Sequence, residues 1–139
     1  MEDYNLVYNI IKQCLITDLG CDKFESKPEN GLIAFQYKQL QYVCVYTSDE
    51  PAYLRILLPG VDNIRDEITI QNYQHMLRLN AHYKVAKIEL IENSFWFAVE
   101  LFITGTSNLS GTIVRMVNLL HDMRNEYAQY INNTTQHAQ

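Results

Sequence analysis

Apolar positions along this chain change their period several times, and the changes mark its elements. Val7, Ile10, Ile11, Cys14 and Leu15 recur at i, i+3, i+4, i+7 and i+8, the stripe of an amphipathic helix over residues 4–18. Asp3 stands where an N-cap is needed, and Gly20 stops the pattern. Residues 21–30 are polar and include Pro28, which predicts a connector with room for a short edge strand at 23–26. Three strand patterns follow. Ile33, Phe35 and Tyr37 alternate with Ala34 and Gln36 over 31–37, and similar runs occupy 41–47 and 52–58. The links at 38–41 and 48–51 are of hairpin size, so these strands are expected to be antiparallel neighbours. Pro59 and Gly60 are expected to end the third. A polar connector with Asp62, Asn63, Asp66 and Glu67 leads on, and its acids favour the first turn of a following helix through the helix dipole.

The segment 69–103 organises the rest, because a helical period passes into two strand periods without a glycine or proline. Tyr73, Met76, Leu77, Asn80 and Tyr83 share one helical face, with Gln74, His75, Arg78 and His82 opposite. From Val85 the period becomes two: Ala86, Ile88 and Leu90 alternate with Lys87 and Glu89, the mark of a strand buried on one side. After a turn at Glu92, Asn93 and Ser94, the run 95–103 reads as the returning strand of a hairpin. Its odd positions are all apolar and should face the core. A loop at 104–111 offers Ser107 or Asn108 as a cap for a last helix, whose stripe is Ile113, Val117, Leu120, Arg124, Tyr127 and Ile131, widened by Met116, Met123 and Tyr130. From Asn132 the chain is polar, and a frayed tail is expected. The predicted fold is α+β: an antiparallel five-stranded sheet with helices packed on one face, in the order α-β-β-β-α-β-β-α, forming one domain over 1–139.

Composition narrows the partners. With 139 residues, 47% of them hydrophobic, the chain can build a core without a metal or disulfide. Sixteen acidic against eleven basic residues give a net charge of −5, and the bases form no run of three, which argues against nucleic acid. Cys14, Cys21 and Cys44 are odd in number and contain no C-x-x-C pair, so reduced thiols are expected. The opening MEDYNLVYN is acidic where a signal peptide is basic, and no apolar run reaches membrane-span length. A cytoplasmic location with no membrane partner is the expectation.

Candidate chemistry is sparse. His75 and His82 lie about 10 Å apart along a helix, too far to share an ion, and no metal-ligand spacing occurs. Both are expected at the surface. His121 and Asp122 are adjacent on a helix and diverge by about 100°. The loop 105–112 has five residues between its glycines and no lysine, so it is a strand-to-helix turn rather than a phosphate loop. Asp49, Glu50, Asp66 and Glu67 are assigned to solvent. No catalytic, cofactor-binding or metal residue is expected. Asn80, on an apolar helix face, is expected to hold that helix to the next strand through backbone hydrogen bonds. If the odd positions of the last strand face inward, Trp96, Ala98 and Phe102 face outward, and Arg55 puts Tyr53 and Leu57 on the same outer face. Trp96, Phe102, Tyr53 and Leu57 are therefore the candidate protein-contact residues.

The segment MLRLNAHYKVAKIEL at 76–90, the strand SFWFAVELFI and the closing amphipathic helix resemble the YbjN family of small bacterial proteins, within the type III secretion chaperone-like fold. The resemblance implies a non-enzymatic, dimeric interaction domain, possessing a regulatory role in sensory transduction. Two other roles stand beside it: a secretion-type chaperone for an exported client, and a small-ligand-binding domain with a polar pocket near Asn80, His82 and Tyr83.

Overall fold

A computed structural model describes residues 3–63, 70–92 and 94–137. Among them the chain forms α1 (Tyr4–Gln13), β1 (Lys23–Lys27), β2 (Leu32–Tyr37), β3 (Leu40–Val45), β4 (Tyr53–Asn63), α2 (Ile70–His82), β5 (Ala86–Ile91), β6 (Ser94–Phe102) and α3 (Leu109–His137). The strands make one open antiparallel sheet in the order β1-β2-β3-β4-β6-β5. The architecture is α+β, but the expected five strands are six. The extra strand is β1, which takes all of 23–27 and pairs with β2 from Lys23↔Gln36 to Lys27↔Leu32. Only one of its faces meets the core, through the half-buried Phe24, so its sequence carries little apolar alternation.

Register explains the core. Ile33, Cys44, Ile56, Val99 and Ala86 lie side by side across five strands, and all are buried. They pack with Val7, Ile11 and Leu15 from the N-terminal helix and with Ile113, Val117, Leu120 and Tyr127 from α3 in one cluster. Asp3 caps α1 by accepting the Asn5 N–H at 3.0 Å. After Gln13 the helix widens into a π-type turn at Cys14–Asp18, closed by Leu19 N–H donating to the Cys14 carbonyl, and this buries both Cys14 and Leu15.

Turn chemistry fixes the hairpins. Lys38 and Gln39 both take positive φ, 50° and 69°, the two-residue geometry that matches the twist of paired strands. Gly31 also lies in the left-handed region, φ 67°, and a Cβ there would clash with Thr47 Cγ2. Only glycine fits between β1 and β2 at that point.

Two expectations about these elements need correcting. β4 does not end at Pro59: it continues to Asn63, with an irregularity in its pairing to β6 between Leu58 and Asp62. A bulge tolerates proline because no ladder N–H is required there. The acids Asp66 and Glu67, and Asn93 in the last hairpin turn, lie outside the described residues. The second correction is the face of α2. His75 and Leu79 are buried and Met76 is half-buried, while Ile70, Tyr73 and Leu77 are exposed. The helix is rotated part of a turn from the predicted face: Met76, Asn80 and Tyr83 still turn inward and Gln74, Arg78 and His82 outward, but His75 enters the core, where it stacks on Tyr130 with ring centroids 3.8 Å apart. The α3 backbone is helical to His137, past the Asn132 at which the polar tail begins.

Candidate functional site

The strand face turned away from the core is the first candidate surface. Ala34, Val43, Leu57 and Ala98 form one outward row across β2, β3, β4 and β6, ending at Glu25 on β1 and Lys87 on β5. Leu32 and Val45 lie beside it in the neighbouring row. None of these residues belongs to the helix-covered cluster. Ala98 is fully buried within this row, while Ala34 and Val43 are half-buried.

Trp96, Phe102, Tyr53 and Leu57 all lie on this outward face. Phe102 is 74% exposed, and its ring lies 5.8 Å from that of Tyr53, its partner across the β4–β6 ladder. Trp96 and Tyr53 are half-buried. Leu57, by contrast, is only 7% exposed, filled in by its neighbours, so it backs the surface more than it presents it.

An ion network crosses the same face and was not singled out in the sequence. Arg55 Nη2 meets Glu89 at 2.8 Å and its Nε lies 3.4 Å from Glu100, while Lys87 Nζ lies 3.3 Å from Glu89 and 3.5 Å from Glu100. Two bases and two acids on three adjacent strands leave no net charge. A hydrogen bond from Tyr53, aided by Lys87 and Arg55, holds the Glu100 carboxyl below the usual range. Burial, then the Glu100 contact, pushes the Tyr53 phenol up to about 12. The alternation of charge in Lys87, Ile88, Glu89 was the available signal, but the matching positions of Arg55 and Glu100 depend on strand register.

Asn80 lies elsewhere. Its Oδ1 accepts the Ile88 N–H at 2.6 Å and its Nδ2 donates to the Ile88 carbonyl at 3.3 Å. Since β5 is an edge strand, the amide occupies backbone groups that would otherwise face outward. His82 is exposed, as expected, whereas His75 is not a surface residue: it is 9% exposed, and neither ring nitrogen has a hydrogen-bond partner among the described residues. Burial first, then Arg78, lowers its pKa and keeps the ring neutral. His121 and Asp122 come to 3.9 Å, but Asp122 is exposed, and Nδ1 also lies 3.3 Å from Asn125 Nδ2. Cys14, Cys21 and Cys44 are free thiols, and burial raises Cys14 to about 11 and Cys44 to about 12.

The second candidate is a half-open cavity of about 570 Å³ between the α2–β5 link, β6 and the first half of α3. His82 and Tyr83 line it, but Asn80 does not, and the wall is made largely of Val99, Leu101, Met116 and Leu119. The polar pocket expected around Asn80 is thus an apolar one beside it. Among the described residues, no group of three or more His, Cys, Asp or Glu side chains is placed to hold a metal ion, and no helix is long and apolar enough to cross a membrane. No protein-family model matches the chain, and no curated protein matches it.

Proposed function

We propose that this chain is a non-enzymatic, cytoplasmic protein-interaction domain that works as a homodimer through its outward sheet face. The observation that carries the reading is the outward sheet face, outside the helix-packed cluster, on which Phe102 is 74% exposed and Ala34, Val43 and Trp96 are half-buried over a floor of buried Leu57 and Ala98. Phe102 and Trp96 supply aromatic anchors on that face, and aromatic side chains of this kind dominate interface energetics. The Arg55, Lys87, Glu89 and Glu100 network is internally matched, so it can be covered by a second copy without stranding a charge. A two-fold contact uses one self-complementary patch, which suits a face of this layout. A regulatory role in sensory transduction, as in the YbjN-like resemblance, would be exerted through such contacts.

The test uses Trp96, the chain's one tryptophan, as an internal probe. Light scattering should give a dimer at micromolar concentration, and dilution should shift the Trp96 emission to longer wavelength as the face is wetted. Phe102→Asp should give a monomer at the same concentration with unchanged far-ultraviolet circular dichroism. A wild-type chain that stays monomeric at every concentration ends the dimer reading.

A further inference from the structure

The cavity beside β6 is separate from the outward face, and its walls and mouth differ in character. Val99 and Met116 in the wall are buried and Leu101 and Leu119 half-buried, while Lys84 and Arg115 at the mouth are exposed. The hollow exists because β5 begins at Ala86, opposite Val99, whereas β6 runs on to Phe102. The link into β5 turns sharply at Val85, whose φ is 70°.

The charge at the mouth is unmatched. Lys27, Arg55 and Lys87 each have an acidic partner, but among the described residues neither Lys84 nor Arg115 forms an ion pair. The one acid lining the cavity, Glu100, aims its carboxylate at Arg55 and Lys87 on the other face of the sheet. Two cations without ion-pair partners therefore stand at the mouth of an apolar hollow, while Glu126 and Asp122 act on Tyr83 elsewhere in its lining. Its volume lies within the roughly 300–1,000 Å³ of small-molecule sites.

We infer that this cavity binds a single-chain amphiphile with an anionic head, a medium-chain alkanoate, with its hydrocarbon against Leu101, Met116 and Leu119 and its carboxylate between Lys84 and Arg115. Charge complementarity sets the head, and the apolar wall sets the tail. The site is independent of dimerisation through the outward face.

Calorimetric titration of the full chain with hexanoate, octanoate and decanoate, each below its micelle concentration, tests the assignment. Affinity should rise about two- to fourfold per added methylene, the range for a tail that is partly to fully buried. Replacing both cations (Lys84→Ala with Arg115→Ala) should weaken decanoate about tenfold, as loss of charge-assisted contacts does, and leave 1-decanol unchanged. Both side chains are exposed, so the variant should fold as the wild type does. Methyl resonances of Leu101, Met116 and Leu119 should move, and those of Val43 and Val45 on the outward face should not. An affinity flat with chain length, equal binding of decyltrimethylammonium, shifts confined to Val43 and Val45, or no heat at about 1 mM decanoate would each overturn it.

Discussion

Gly31 shows how one residue fixes the N-terminal half of the sheet. It combines a left-handed backbone with contact against Thr47, so Gly31→Ala meets both a strained φ and a methyl clash. The expected destabilisation is about 1–3 kcal/mol, measured by urea unfolding. Adding Thr47→Ser removes the clashing methyl and should restore only the steric part. His75 gives the pH response. Its folded-state pKa lies below the ordinary 6.5, so the unfolded chain binds the extra proton first. Stability is then complete above about pH 6.5 and falls as pH drops through that value towards the folded pKa. Melting temperature followed from pH 7.5 to 5.5 should decline less steeply in His75→Phe, with His121, also lowered by burial, supplying the remaining slope. Sequence pattern places histidine with polar residues, and here the ring is held instead by Tyr127 and Tyr130 at the far end of α3. No local period encodes a partner that distant.

At the scale of elements, α2 and β5 are held together by Asn80. Asn80→Ala removes both hydrogen bonds to Ile88, and the expected loss is about 1–3 kcal/mol, with faster amide exchange at Ile88 than at buried β6 positions. An unchanged exchange rate at Ile88 would show that the amide contributes little. The strands β2, β3, β5 and β6 were readable within a residue or two, because each buries one face and alternates accordingly. β4 was legible to Leu58 and no further. A Pro-Gly pair normally closes a strand, and only the length of β6 beside it carries the ladder on to Asn63. The outward placement of Trp96, Phe102, Tyr53 and Leu57 followed from parity alone. The cavity did not, since it arises from β5 starting late against a longer neighbour.

For the whole molecule, the buried thiols report how tightly the single core is closed. Cys14 and Cys44 are buried and Cys21 is partly exposed, so a thiol reagent at pH 8 should modify Cys21 first and reach the other two at the rate of unfolding. Raising the pH should speed Cys21 modification well before it affects Cys14 or Cys44, whose thiols burial holds at about 11 and 12. Rapid, equal reaction at all three would mean that the helices on the sheet open easily.

The two rims of the sheet differ from its middle in what they permit. β1 lines its margin with the exposed Lys23, Glu25 and Lys27, and on β5 the Ile88 backbone is already occupied by Asn80. Strand-to-strand addition of further copies is thereby discouraged on both sides. Among the described residues, both edges thus resist the ladder pairing through which open sheets stack into fibres.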